Sequence, residues 1–366
     1  MSVLTGLQAA HELSRTGRSV TGLYWSKTGE WFEVDPSLEG SAFVEGVPRG
    51  ADALKLEVGR DGGFVSARQG RGLLGGGQKQ KALAIGVVVN CCHGGPGEDG
   101  TLQGSFDLAG IRYTGPGQAA SALGMDKLAF AAVAKNAGLK VLPRVALDTD
   151  GPASASADEL GTAGPYILKP RFGGSSIGVE AVADWDTAVK LVQTNIHLQR
   201  GAVIEPFRGD LFDLNIALRS WPAIQWSAIE RPVRSTAGAE ILGYADKYTG
   251  GEGMVSAPRE LPARIPDLLA EEIRRVALRI APLVGLRGIT RVDFLSDGSG
   301  ELYLNEVNTI PGSLARYLWV DPTVSFAELL DAMIEEAERV PGARLSAAGA
   351  DGTVLRMAGS IAGKLG

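Results

Sequence analysis

Hydrophobic and polar positions follow helix-like and strand-like patterns in turn along most of the chain. Apolar residues at helical spacing predict helices at 4–13, 101–109, 126–137, 184–193, 266–284 and 325–339. Short apolar or alternating runs predict strands at 20–25, 166–169, 203–207, 211–219, 290–295 and 301–306. Strands interleaved with helices predict a layered, mixed α/β fold and argue against a helical bundle or a sandwich.

Two further segments differ from this pattern. The run ALAIGVVVNCC at 82–92 is continuously apolar and rich in β-branched residues, which is typical of a strand buried on both faces of a parallel sheet. The segment 59–77 holds eight glycines among polar residues and shows little periodicity. We therefore predict an exposed loop or a frayed hairpin there.

The composition limits the class of protein. A chain of 366 residues, 45% of them hydrophobic, can bury the core of two or three domains. No apolar run approaches the roughly 18 residues that a membrane span needs, and the first residues lack the pattern of a signal peptide. A net charge of −6 argues against a protein that coats nucleic acid. Cys91 and Cys92 are adjacent and predict packing residues in a reduced compartment, so we expect a cytoplasmic protein.

A lysine followed by a Gly/Ser loop is the first candidate for ligand chemistry. The segment KPRFGGSSIGV places Lys169 at the end of a predicted strand and Ser175 and Ser176 in the loop after it. Glycines let backbone N–H groups approach phosphate oxygens, hydroxyls add donors, and the lysine adds charge. The segment predicts either a phosphate-binding loop or an ordinary hairpin.

A second candidate is the segment RVDFLSDGSGELYLNEVNTIPG. Asp293 lies within one apolar strand, and Glu306 and Asn308 lie two apart on the next, so hairpin pairing brings their oxygens together. Buried acids are costly without a partner, and a hard divalent ion such as Mg²⁺ would remove that cost. The alternative is a solvated hairpin face in which Arg291 forms the salt bridge.

The third candidate, HGGPGEDGTLQG, comes after the apolar run 82–92 and leads into a predicted helix. Loops at the carboxyl ends of parallel strands commonly bind ligands, so His93 and Glu98 predict a substrate pocket. Capping of the helix by Glu98 and Asp99 is an equally good local interpretation.

These segments, with MDK at 125–127 and YADKY at 244–248, resemble in order and spacing the D-alanine–D-alanine ligase family of the ATP-grasp superfamily. The resemblance implies a mixed α/β ATP-grasp fold of three domains. These would be an N-terminal parallel-sheet domain at 1–118, a central subdomain at 119–201 and a C-terminal catalytic subdomain at 202–345, with the tail 346–366 unassigned. It also implies an enzyme that activates a carboxylate with ATP and joins it to an amine, releasing ADP and phosphate.

The resemblance further implies roles for individual residues. Those implied for ATP are Lys127, Lys169, Ser175, Ser176, Glu205, Phe207, Asp213 and Lys247. Those implied for Mg²⁺ or Mn²⁺ are Asp293, Glu306 and Asn308. Those implied for the reaction are Arg291 and the Gly312 N–H as oxyanion donors, with Ser175, Lys247 and Tyr248 closing over the phosphates. Those implied for the amino-acid substrates are His93, Glu98, Tyr317 and Leu318.

The chain departs from the family pattern at three places. Its first residues, MSVLTGLQAA, resemble the part of the family that comes after the first strand, so we expect the N-terminal sheet to lack that strand and the glutamate that holds the first amino group. Asp213 replaces a ribose-binding glutamate. Tyr317 replaces a serine that faces the second substrate's carboxylate, which indicates either another way to bind D-alanine or another amine partner.

The main hypothesis is therefore a homodimeric, cytoplasmic ligase that joins two D-alanines for peptidoglycan synthesis. A dipeptide or amide ligase of secondary metabolism is the alternative with the same chemistry. A nucleotide-binding regulatory protein without activity is the alternative from a different class. The presence of all the residues implied for phosphate, metal and oxyanion binding argues against it: Lys127, Lys169, Arg291, Asp293, Glu306 and Asn308.

Overall fold

The structure, a computed structural model, describes residues 1–59, 61–67, 81–149, 156–174, 176–233 and 258–340. Its helices are α1 (Ser2–Arg15), α2 (Gly95–Glu98), α3 (Thr101–Ala109), α4 (Gln118–Met125), α5 (Lys127–Asn136), α6 (Trp185–Thr194), α7 (Asp267–Val284) and α8 (Phe326–Arg339). Among the described residues, no helix is both long and apolar enough to cross a membrane.

The strands are β1 (Gly22–Trp25), β2 (Trp31–Val34), β3 (Asp52–Glu57), β4 (Gly63–Ser66), β5 (Val145–Leu147), β6 (Tyr166–Pro170), β7 (Glu180–Val182), β8 (Ala202–Pro206), β9 (Phe212–Arg219), β10 (Gln225–Pro232), β11 (Arg259–Glu260), β12 (Ile289–Ser296) and β13 (Leu302–Asn308). Short 3₁₀ turns occupy Gly40–Phe43, Ala157–Leu160, Ile196–Leu198 and Gly312–Leu318. The mixed α/β class predicted from the sequence is confirmed.

The N-terminal sheet has the order β1-β2-β3-β4, and each neighbouring pair is antiparallel. Aromatic side chains fill the space between this sheet and α3. Phe64 and Phe106 are each 1% exposed, and the Trp31 ring lies edge-on to Phe64 at 4.9 Å. Of the two alternatives predicted for 59–77, an exposed loop or a frayed hairpin, the hairpin is present at 63–66, where β4 pairs with β3; residues 68–77 lie outside the described part.

The N-terminal sheet is not parallel, and this part of the fold prediction is wrong. The apolar run 82–92 forms only isolated bridges, one antiparallel to Val65 and one parallel, from Val88 to Tyr113. Ala82, Ala84 and Gly86 are exposed. The run looks like a doubly buried strand because it is uniformly apolar. Over 82–86 only Leu83 and Ile85 pack, against the aromatic core, whereas farther on Val87, Val89 and Cys91 also pack on the opposite side, against the core that contains α1 and α8.

The second sheet has the order β5-β8-β6-β7 and is antiparallel throughout. Helix α6 packs on it through Ala188 and Val192, which are both fully buried. The Asp184 side chain accepts a hydrogen bond from the Thr187 N–H and caps this helix. Strand β6 and the loop after it line the cleft described below.

The third sheet has the order β11-β10-β9-β12-β13 and has different neighbours on its two faces. Leu214, Ile216 and Phe294 point to one face and pack against α5 and α7. On the other face, α1, α8 and the turn Gly312–Leu318 pack around Ala217 and Ile289. The side chains on β9 and β12 alternate between these two faces, so polar residues can line the second face without entering the α7 core.

Candidate active site

The polar residues of β9, β12 and β13 share one face of the third sheet. The register pairs Arg291 with Ala217 and Asp293 with Asn215 across β12 and β9. It pairs Asp293 with Glu306 and Arg291 with Asn308 across β12 and β13.

A bulge makes this arrangement possible. The register between β12 and β13 shifts after Asp293, where Phe294 pairs with Leu304. Leu304 and Glu306 lie two apart on β13, so in a regular strand they would point to the same face. Instead, Leu304 is 1% exposed in the α7 core, whereas Glu306 lines the polar cleft. One extra residue in a strand reverses the facing of the residues beyond it, so Glu306 and Asn308 point away from that core.

A cleft between the second and third sheets brings together most of the residues implied for ATP. Its lining includes Lys127, Lys169, Ser176, Glu205, Phe207, Asp213, Asp293 and Glu306. Two of the predicted metal ligands and six of the predicted nucleotide-binding residues therefore share one cleft. Ser175, Lys247 and Tyr248 lie outside the described residues.

Charged residues form buried ion pairs on the wall of this cleft. Glu205, which is 2% exposed, forms ion pairs with Lys169 and with Arg144, whose Nε lies 2.9 Å from Oε2. Lys127 Nζ lies 3.7 Å from Glu306 Oε2. Burial would raise the pKa of the Glu205 carboxyl, but Lys169 and Arg144 outweigh it, and the pKa falls below its usual range. Burial lowers the pKa of the Lys127 amine, against the attraction of Glu306.

Arg144 is the hub of this network, and no sequence pattern indicated it. Besides Glu205, its guanidinium donates to the Lys127 carbonyl at 3.1 Å and to Asn305, at 2.7 Å to the backbone oxygen and 2.9 Å to Oδ1. It thus connects β8, α5 and β13. It precedes β5 in an irregular segment that matches no motif, so its role could not be inferred from local spacing.

The Gly/Ser loop after β6 has a constrained backbone. Ser176 has a φ of 59°, in the left-handed region that non-glycine residues rarely occupy. Gly178 has a φ of 73°, and a Cβ built on it would lie 2.5 Å from the His197 Cβ. Glycine is required there, which agrees with a loop of defined shape.

Arg291 and Asp293 form a bidentate pair. Nε donates to Oδ1 and Nη2 donates to Oδ2, both at 2.7 Å, and the Asn308 amide also donates to Oδ2 at 2.9 Å. Burial would lower the pKa of the Arg291 guanidinium, but the Asp293 charge outweighs it and raises this pKa. The alternative salt bridge predicted from the sequence thus exists, but both side chains are less than a tenth exposed, so the hairpin face is not solvated.

Tyr317 lies beside this pair and is held on two sides. Its hydroxyl is 3.5 Å from Arg291 Nη1, and the Arg259 guanidinium lies over its ring at 4.3 Å from the centroid. Arg259 is in turn 2.8 Å from Glu230 Oε1, and Glu230 Oε2 accepts from Asn215. Burial raises the pKa of the Glu230 carboxyl and of the Tyr317 phenol.

Glu98 connects the loop 93–104 to the segment after β13. Its Oε2 accepts from the Gly94 N–H at 2.7 Å, and its Oε1 accepts from the Ile310 N–H at 2.9 Å and the Thr309 hydroxyl at 3.2 Å. Burial raises the pKa of this carboxyl. Glu98 therefore does not cap α3, whereas Asp99 accepts from the Thr101 N–H at its start.

His93 and Leu318 complete the residues implied for the amino-acid substrates. The His93 ring contacts the Ile310 carbonyl and the Thr5 hydroxyl, both at 2.7 Å. Burial lowers the pKa of this imidazole to about 4. Leu318 is fully buried in the core that contains α1 and α8, so only its backbone could contact a substrate.

Solved structures share this arrangement of sheets around a cleft. D-alanyl-alanine synthetase A from Vibrio cholerae superposes with a TM-score of 0.74 at 22% identity, over 92% of this chain and 93% of that one. VanG D-Ala:D-Ser ligase from Enterococcus faecalis superposes with a TM-score of 0.72 at 25% identity, over 91% and 95%. The fold of this chain is therefore the ATP-grasp fold of these proteins.

The sequence comparisons are more specific. The family description "D-ala D-ala ligase N-terminus" matches residues 1–116, and "D-ala D-ala ligase C-terminus" matches residues 133–335. The D-alanine–D-alanine ligase of Mycobacterium sp. (strain KMS) is 33% identical over 326 residues, 84% of each chain. That of Corynebacterium jeikeium (strain K411) is 36% identical over 263 residues, 69% of this chain and 68% of the relative.

The chain belongs to the D-alanine–D-alanine ligase family, as the resemblance implied. This is a family of ATP-dependent, ADP-forming ligases that use a divalent metal.

Proposed function

We propose that this protein joins two molecules of D-alanine, using ATP and Mg²⁺ and releasing ADP and phosphate. The observation that carries the proposal is the shared cleft in which Lys127 and Lys169 lie with Asp293 and Glu306. Transfer of a phosphoryl group needs positive charge near the phosphates and a position for a metal, and this cleft offers both. Relatives named as D-alanine–D-alanine ligases match most of the chain, which favours D-alanine as the substrate.

In this proposal the nucleotide subsite lies between the second and third sheets, with Lys127 at the start of α5, Lys169 on β6 and Asp213 on β9. Lys127 and Lys169 contact the phosphates, together with the loop that carries Ser175 and Ser176. The segment from Glu205 to Phe207 borders the base, and Asp213 lies toward the ribose. Glu205 also holds Lys169 in place through their ion pair, and Lys169 and Arg144 together keep Glu205 ionised. A lysine that is already oriented loses less freedom on binding a phosphate.

Asp293, Glu306 and Asn308 would hold the divalent ion. Within the described ranges, no group of three or more His, Cys, Asp or Glu side chains is placed around a metal position, so the amide of Asn308 and phosphate oxygens must complete the set. Carboxylate and amide oxygens are donors that suit Mg²⁺. Asn308 now turns its N–H₂ toward Asp293, and ligation would use the opposite orientation of the amide. The ion would neutralise charge on the phosphates.

Arg291 and the Gly312 N–H would stabilise the oxyanion that forms when the amine attacks the activated carboxylate. Donors fixed before the reaction stabilise developing charge most effectively, and Asp293 fixes Arg291 through both of its oxygens. Lys247, Tyr248 and Ser175 are proposed to exclude water from this intermediate.

The amino-acid end of the site would be formed by His93, Glu98, Tyr317 and the backbone at Leu318. The Tyr317 hydroxyl is proposed to contact the carboxylate of the second amino acid. A specific observation favours a second candidate, a ligase for another amine partner. Tyr317, with the Arg259 guanidinium against its ring, makes this end of the site bulkier than a serine would, and Arg259 is itself ion-paired with Glu230.

We also propose that the enzyme works in the bacterial cytoplasm on peptidoglycan precursors and forms a homodimer. The family membership supports the role in peptidoglycan synthesis. Sedimentation of the purified protein tests whether it forms a homodimer.

Phosphate release from ATP and Mg²⁺ across a panel of D- and L-amino acids tests the proposed reaction. Release with D-alanine alone, with D-alanyl-D-alanine found by mass spectrometry, is the expected result. Release only with a different pair would replace D-alanine with that pair. No release with any amino acid, despite ATP binding, would favour a regulatory protein.

A further inference from the structure

A chain of hydrogen bonds joins α1 to the two loops at the amino-acid end of the site. Thr5 on α1 is fully buried. Its Oγ1 lies 2.7 Å from His93 Nε2 and 3.1 Å from the Ser313 backbone nitrogen. The other ring nitrogen, His93 Nδ1, lies 2.7 Å from the Ile310 carbonyl oxygen. These contacts link residues 88 and 308 positions apart in the sequence.

The chemistry of these groups fixes the direction of every bond. A carbonyl oxygen only accepts, so His93 Nδ1 must carry the proton that reaches Ile310. The imidazole is neutral, because burial lowers its pKa to about 4, and Nε2 is therefore an acceptor. Thr5 must then donate its hydroxyl proton to Nε2, and its oxygen accepts from the Ser313 N–H. Each donor in this series of hydrogen bonds has one acceptor, and none of the bonds can run in the opposite direction.

The residue that Thr5 holds begins a strained turn. Ser313, Leu314 and Ala315 have φ values of 49°, 48° and 50°, three successive left-handed residues without a glycine. All three are at most 3% exposed. Such a conformation is unfavourable for L-residues and persists only where the surroundings enforce it. The turn lies directly after Gly312 and directly before Arg316 and Tyr317.

We propose that Thr5 is a positioning residue, which holds Nε2 of the His93 ring by donating to it and anchors the left-handed turn 313–315 beside the Gly312 N–H. Two groups at the amino-acid end of the site thereby depend on one hydroxyl of α1. The effect on turnover rests on the proposed function, whereas the tautomer of His93 and the shape of the turn do not.

The test compares Thr5→Val with Thr5→Ser. Valine keeps the shape of the side chain but leaves His93 Nε2 without a donor and the Ser313 N–H without an acceptor. Serine keeps the hydroxyl. Both groups lose their hydrogen-bond partner in Thr5→Val, so this variant should lower kcat with D-alanine about 10- to 100-fold and leave the KM for ATP within about twofold. Thr5→Ser should stay within about threefold of wild type in kcat.

Nuclear magnetic resonance of the ¹⁵N-labelled protein supplies a readout that does not depend on turnover. Long-range proton–nitrogen spectra distinguish the two nitrogens of each of the three histidines, and His93→Gln assigns the resonances of His93. Wild type and Thr5→Ser should show a protonated Nδ1 and an unprotonated Nε2. Thr5→Val should keep the protonated Nδ1, because the Ile310 carbonyl still accepts from it, but should shift the Nε2 resonance, because Nε2 loses its donor.

Thr114→Val is the matched control, since Thr114 is 1% exposed and accepts a hydrogen bond from the Asn90 N–H away from this chain of bonds. Wild-type kcat and an unshifted Nε2 resonance in Thr5→Val would overturn the proposal, as would an equal loss of kcat in Thr114→Val. If Thr5→Val does not fold, the wild-type spectrum decides, because a protonated Nε2 contradicts the chain of bonds. If the tautomer is as expected but no amino acid supports turnover, only the proposed function fails.

Discussion

Arg291 donates two parallel hydrogen bonds, each 2.7 Å long, to the Asp293 carboxylate. The two residues lie two positions apart on the same strand. Side chains two apart on a strand point to the same face, so this pair needs no loop to form it. The proposed oxyanion donor is thus held by a proposed metal ligand. Metal binding and stabilisation of the intermediate would depend on the same carboxylate.

Arg291→Lys should retain the charge but lose the fork that Asp293 holds. We expect kcat with D-alanine to fall by about 100-fold or more, since one oxyanion donor is worth roughly 2.7–4 kcal/mol, while ATP still binds. Steady-state phosphate release and nucleotide titration measure the two effects. Arg264→Lys is the control, because that side chain is 92% exposed. Unchanged turnover in Arg291→Lys would remove this arginine from the mechanism.

Glu306→Gln tests the metal site without breaking the Arg291–Asp293 pair. Losing one anionic oxygen should raise the Mg²⁺ concentration needed for half-maximal phosphate release about tenfold or more. Glu301→Gln, just before the same strand and 44% exposed, should not change this concentration. An unchanged Mg²⁺ requirement in Glu306→Gln would show that Glu306 is not a ligand.

Arg144→Met should lower the free energy of unfolding, because Arg144 bonds to Glu205, Lys127 and Asn305 in the buried network. Arg144 and Glu205 are both 2% exposed, and removing one partner of such a pair costs roughly 3–5 kcal/mol. Denaturant unfolding should show a loss of this size. Arg18→Met breaks an ion pair in which both side chains are 42% exposed, and it should cost less than about 1 kcal/mol. Equal losses in the two variants would contradict the special role of Arg144.

Tyr317→Phe should weaken binding of the second amino acid rather than the first. If the hydroxyl contacts the second carboxylate, its loss should raise the KM for that substrate about tenfold, with a smaller change in kcat. Tyr303→Phe, which removes a hydroxyl bonded to Glu301, is the control. A uniform fall in kcat with unchanged KM would place Tyr317 behind Arg291 instead of against the substrate.

Local patterns predicted much of the fold. The spacing of Leu269, Ile273 and Ile280 predicts α7, and the Ser296–Gly300 turn predicts the β12–β13 hairpin; both agree with the structure. The run 82–92 misled the prediction, because hydrophobicity alone does not reveal whether a neighbouring strand is present to pair with it.

The contacts that hold the amino-acid end of the site are between residues distant in sequence. Glu98 reaches Ile310 across 212 positions, and Thr5 reaches Ser313 across 308. Neither contact leaves a local pattern. Glu98 could be predicted as a site residue from its motif, but its partners could not, and Thr5 lies within an ordinary amphipathic helix that carries no sign of its contacts.

The proposed reaction is tested most directly by tracing the oxygen atoms of D-alanine. If ATP phosphorylates the carboxylate of the first D-alanine and the amine of the second displaces the phosphate, one carboxylate oxygen must leave with the phosphate. With ¹⁸O-carboxylate D-alanine, ATP and Mg²⁺, mass spectrometry should find one ¹⁸O in each phosphate released, together with ADP and D-alanyl-D-alanine. Phosphate free of ¹⁸O, or AMP in place of ADP, would contradict the proposed reaction.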